Sequence, residues 1–174
     1  MVPLTIYGDT VDEPGQAFGA EWVAVAFSTP TNAVFGTGLF AQLGLALIVD
    51  DDPTPTLEPG SATIAEGDSG TAVLEVPVTL SAPSANTVTV DWQTVDTDQP
   101  EPGIDFESAS GTLTFAPGET SATIAITVIG DIEVEPGQLF GAEWGFIELS
   151  QPTNAAFGTG LFARHASFFI IDDD

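Results

Sequence analysis

The chain has 174 residues, with one Lys or Arg against 26 Asp and Glu; a net charge of −25 excludes a basic surface for nucleic acid or anionic lipid and makes cations its natural partners. That length suits one ordinary domain plus an additional piece, and a 43% hydrophobic share with mean hydropathy +0.24 supplies enough apolar side chain for a core. No stretch reaches the roughly 18 uninterrupted apolar residues of a membrane span, "MVPLTIYG" lacks the head of a signal peptide so that any secretory signal would lie outside this chain, and the absence of Cys leaves packing, hydrogen bonds or metal to hold the fold.

In chain order, alternating apolar residues at 21–28 and an apolar run at 45–49 predict two strands, and the second runs into Asp50, Asp51 and Asp52. "PTPT" (53–56) follows as a stiff extended spacer, with Thr54 and Thr56 as candidate O-glycan acceptors. In "TAVLEVPVTL" Ala72, Leu74, Val76, Val78 and Leu80 share one face, while Thr71, Glu75 and Thr79 share the other. The same period of two joins Val88, Val90 and Trp92, then Leu113 and Phe115, then Ile124, Ile126 and Val128. "EGDSG", "SAPSAN", "QPEPG", "APGE" and "EPG" separate these runs with strand-breaking residues, and no window carries a 3.6-residue stripe. About seven half-buried strands read as an all-β, antiparallel sandwich. The last strand ends in Asp172, Asp173 and Asp174. Three adjacent carboxylates repel one another and ask for water or for a cation. Alone, such a run reads as a solvated tail.

Residues 8–52 align without a gap on residues 130–174, at a spacing of 122, with 27 of 45 positions identical. Residues 58–129 have no earlier copy. The expected organisation is therefore the back half of one repeat (1–52), a Pro/Thr linker (53–57) and one complete repeat (58–174). The half repeat cannot bury Val23, Val25, Phe27, Leu45 and Leu47 by itself. Two back halves and one front half cannot complete two domains within or between identical chains. Other copies of the chain are thus expected partners, associating head to tail into a filament, unless the sequence is a slice of a longer tandem array.

"TIAEGDSGT", "GIDFESASGTLTFAPGETSATIAITVIGD" and "ELSQPTNAAFG…IIDDD" together resemble the Calx-β repeat, the calcium-binding immunoglobulin-like module of sodium/calcium exchangers and many bacterial surface proteins. The resemblance spans about residues 60–174 and recurs in 1–52. It implies an immunoglobulin-like sandwich in which 1–52 supplies strands E, F and G. It also implies Ca²⁺, with ligands at Glu66, Asp105, Asp131, Glu135, Asp172, Asp173 and Asp174, since a hard ion taking six to eight oxygens draws acids from several loops. Gln138 stands where a second glutamate is usual, and Glu143, opening "EWGFIELS" beyond a short insertion, is expected to replace it. The matching set in the half repeat is Asp9, Glu13, Glu21, Asp50, Asp51 and Asp52.

The function this implies is structural and non-enzymatic: a calcium-rigidified module of an extracellular or cell-surface protein, assembling into fibres or arrays for adhesion or matrix. A calcium-sensing regulatory domain is the alternative. The acids cluster densely without the isolated apolar pocket a glycosidase needs, and no Ser has a triad context. Trp22 and Trp144 occupy matching positions, read as core or interface packing. His165, alone, reads as a surface residue rather than a zinc ligand.

Overall fold

The computed structural model describes residues 3–11, 20–38, 41–96, 100–134 and 142–173. Among these residues the regular structure is all strand, and no helix is long and apolar enough to cross a membrane. The complete repeat forms a sandwich of two sheets. One contains β3 (Thr56–Pro59), β5 (Gly70–Leu80), β8 (Ser121–Gly130) and the short β10 (Ala156–Phe157), in the order β10-β3-β5-β8. The other contains β4 (Ser61–Ala65), β6 (Val88–Val95), β7 (Ser110–Phe115), β9 (Glu143–Thr153) and β11 (His165–Ile171), in the order β4-β11-β9-β6-β7.

The first strand of the sandwich serves both sheets, which is one reason for more strands than expected. Gly60 makes the crossing. Its N–H donates to Pro77 O (2.9 Å) while its own carbonyl accepts from Ser167 N–H (3.1 Å), and a Cβ here would meet Pro77 at 3.0 Å. Pro77 O faces this edge, so its donor-less nitrogen falls where β3 leaves the sheet and no ladder bond is lost. The period-two runs become the core: Leu74, Val76 and Val78 from one sheet meet Ile147, Leu149 and Phe168 from the other, all buried. Gly145 is opposite Phe168 on the neighbouring strand, and a Cβ on it would lie 2.1 Å from the Phe168 ring, so glycine there makes room for that ring in the core.

Thr56 and Leu57, expected in the linker, belong to the sandwich instead. Leu57 is buried, the pair is hydrogen-bonded between β5 and β10, and only the exposed or half-exposed residues before Pro55 remain as connector. The reason is packing: Leu57 continues the apolar face of the first strand.

The half repeat forms a two-stranded antiparallel sheet, β1 (Ala20–Ala26) with β2 (Leu43–Val49). Its register is that of the complete repeat shifted by 122: Ala26 opposes Leu43 and Glu21 opposes Ile48, as Glu148 opposes His165 and Glu143 opposes Ile170. The turn after the first strand is also shared. Thr29 and Asn32 have positive φ (46° and 55°), as do their counterparts Gln151 and Asn154 (50° and 57°). Strand E of the half repeat is not formed in residues 3–9. In the complete repeat that strand is β8, held by a ladder to β5, and among the described residues no strand pairs with residues 3–9.

Trp22 and Trp144 face outward. Both are exposed, Trp144 at the surface of an aromatic cluster where it stacks on Phe169 (6.0 Å) and tilts against Phe146 (4.7 Å), so neither belongs to the core. His165 differs from a plain surface residue: it is half-buried edge-on to Phe146 (6.2 Å), with Nδ1 buried and without a hydrogen-bond partner among the described residues.

Candidate metal centre

The strand ladders carry the expected acids to one end of the sandwich. β4 runs parallel to β11 with Ala65 beside Ile171, so Glu66 and Asp172 are the next residues on neighbouring strands. Glu66 N–H donates to Ile171 O (3.1 Å), and Gly67 N–H donates to Asp173 Oδ1 (2.9 Å), tying the "EGD" turn to the terminal aspartates. Gly67, at φ 76°, lets that turn close. Glu143 opens β9 opposite Ile170, on the interior face. Asp131 follows β8 and accepts from Glu133 N–H (2.7 Å).

Asp105 is placed by its neighbour. Phe106 is fully buried and packs edge-on to Phe168 (5.3 Å), which anchors the 101–106 loop in the core. Asp105 O accepts from Ile129 N–H (2.8 Å), joining this loop to the end of β8, and Asp105 Oδ2 accepts from Glu101 N–H (2.5 Å). The anchoring was not read from the sequence, although the Phe of "GIDF" was its signal. Gly130 ends β8, directly before Asp131. A Cβ there would meet Gly67 O at 2.1 Å and Glu66 O at 2.5 Å, so the backbone of the "EGD" turn already fills that space.

Glu66, Asp105 and Glu143 are 6%, 3% and 4% exposed, and Asp105 Oδ1 is buried without a hydrogen-bond partner among the described residues. Burying carboxylates is unfavourable unless positive charge or hydrogen bonds compensate. The chain's one arginine, Arg164, lies over the Phe157 ring at 4.9 Å. Oxygen donors at one end of a cation-poor chain fit a hard divalent ion by their chemistry. As placed, however, no three acidic side chains among the described residues stand close enough to share one ion. Glu135 and Asp174 lie outside the described residues, as does Glu13 of the half repeat.

The half repeat gathers its own acids around a cleft of about 380 Å³ lined by Asp9, Glu21, Asp50, Asp51 and Asp52. Asp9 accepts from Val11 N–H (3.0 Å) and Asp50 from Asp52 N–H (3.1 Å). Partial burial, followed by the carboxylates of Asp50, Asp51 and Asp9, pushes the Asp52 carboxyl above its ordinary range.

A two-sheet sandwich with acid-bearing loops gathered at one end is an immunoglobulin-like architecture. The Calx-beta domain family model matches residues 49–174, and the chain belongs to that family. It is 29% identical over 135 residues to the adhesion G-protein coupled receptor V1 of Danio rerio, covering 75% of this chain and 2% of the receptor. Among solved structures it resembles the calcium binding domain CBD12 of CALX1.1 (TM-score 0.56, 27% identity, 69% of this chain and 46% of that one). The apo-form Calx CBD1 domain shares the fold (TM-score 0.54, 23% identity, 70% of this chain and 100% of that one).

Proposed function

We propose that the chain is a non-enzymatic, calcium-rigidified structural module of an extracellular or cell-surface protein, working as a unit of tandem arrays or fibres in adhesion or matrix. The observation that carries this reading is the set of nearly buried carboxylates, Glu66, Asp105 and Glu143, brought to one end of a chain with net charge −25, with one Asp105 oxygen lacking a hydrogen-bond partner among the described residues. Its relatives support it, since one similar solved structure is described as a calcium binding domain. The ligands in this reading are Glu66, Asp105, Asp131, Glu143, Asp172 and Asp173, with Glu135 and Asp174 completing them; Asp9, Glu13, Glu21 and Asp50 to Asp52 form the corresponding half-set. Ca²⁺ would neutralise the carboxylates and fix the loops that bear them, leaving the sheets as a rigid rod.

Calorimetric titration with Ca²⁺ tests this. Binding that saturates at millimolar concentration fits a structural module, and saturation near micromolar Ca²⁺ fits a sensor. No heat and no change in loop exchange at millimolar Ca²⁺ would remove the metal from the reading altogether.

A further inference from the structure

The half repeat has an inner face that its twin in the same chain shows how to cover. Leu4, Ile6 and Phe27 are 46%, 56% and 44% exposed, while their counterparts Ile126, Val128 and Leu149 are fully buried. The counterpart residues lie in one core cluster with Leu74, Val76 and Val78 of β5 and Val88 and Val90 of β6, and the front-half strands also pair the back half at its edges. β5 pairs β8 along Gly70–Thr79, β4 pairs β11 along Ser61–Ala65, and β6 pairs β9 near Trp92–Val95. None of those partners exists for residues 3–49 among the described residues, where β1 and β2 pair only with each other.

Two observations indicate that this face is built for a packed interior. Its register and its left-handed turn residues repeat those of the complete copy. Its cross-strand sizes are also matched: where the complete copy pairs Gly145 with Phe168, the half repeat pairs Val23 with Ala46, moving the bulk from one strand to the other. Filling the same interior by a different pair matters only if something closes over it.

A twin of the same hairpin is a poor cover. Stacked face to face, it would leave the outer edges of β1 and β2 unpaired. A front half of the β3–β7 type satisfies face and edges together. We propose that residues 3–49 are the back half of a split sandwich and that this surface binds the front half of another Calx-beta repeat, a strand set of the kind formed here by β3 to β7. This chain's own front half is already taken by β8, β9 and β11, so the cover is a neighbouring repeat with a front half to spare. The acids at Asp9, Glu21 and Asp50 to Asp52 would then face that partner's equivalents of Glu66 and Asp105.

The test extends the full chain. A second copy of residues 53–122 is placed ahead of Met1, which continues the 122-residue spacing without a gap. Amide exchange in β1 and β2 should slow by at least a hundredfold, to the level of β9 and β11, and Val25→Asp in the extended chain should return it to the fast rate. Unchanged exchange in β1 and β2 would overturn the proposal. So would protection of those amides that rises with the concentration of the unextended chain, because a second copy would then be the cover. The readout is backbone exchange without calcium, so it fails or succeeds separately from the metal reading.

Discussion

Glu143 and Gln138 illustrate how a single side chain is assigned. Glu143 lies on the inner face at the start of β9, buried beside the end of β11, and its repeat counterpart is Glu21. Glu143→Gln should weaken Ca²⁺ binding at least tenfold by calorimetry, while Gln138→Ala should leave it nearly unchanged; the opposite order would move the ligand to the insertion. Asp52 supplies a second residue-level prediction. A carboxyl whose folded-state pKa lies above its unfolded value holds its proton more tightly when folded. That contribution therefore opposes folding at neutral pH, and it fades as pH falls through the raised value. Carbon-detected NMR titration should find Asp52 above 3.8 without calcium, and added Ca²⁺ should bring it down, since an ion favours the charged form.

At the scale of elements, the pairing of β9 with β11 decides which residues can be large. Gly145→Val alone drives a branched side chain into the Phe168 ring and should destabilise the sandwich by about 1–3 kcal/mol, the usual range for overpacking. Phe168→Ala alone leaves a cavity and should be worse, about 3–5 kcal/mol. The double variant recreates the Val23 and Ala46 pair of the half repeat. It should be more stable than the sum of the single losses implies, by a kilocalorie or more of coupling, of the order found for residues in contact. Urea denaturation of the four proteins measures it, and strict additivity would mean that the two pairs are unrelated.

For the whole molecule, the proposed calcium ligands at the loop end should make stability depend on cations. Ligand binding to the folded state alone contributes about 2.7 kcal/mol at a hundredfold excess over Kd. EDTA should therefore lower the Tm by several degrees relative to millimolar Ca²⁺, and an equal Tm in both would count against calcium as a structural element. Acid should act like chelation. Carboxylate ligands must be deprotonated to bind, so the Ca²⁺-dependent part of the Tm should disappear as pH approaches about 4.

Much of this architecture was legible in the chain itself, because period-two alternation reports a buried face directly: Leu74, Val76, Val78, Ile124, Ile126 and Val128 all lie in the core. The internal repeat was equally legible, since it needs only alignment. What the sequence could not supply were facts that depend on which backbone passes which. Leu57 joins the core because Gly60 hands the first strand from one sheet to the other. Gly130 cannot carry an acid because the turn at Glu66 and Gly67 occupies its side-chain space. Residues 3–9 form no strand and pair with none among the described residues, whereas their counterpart β8 is held by a ladder to β5. Local pattern fixes which side chains seek burial; the tertiary pairing of distant strands decides which of them obtain it, and where the remaining apolar face is left open.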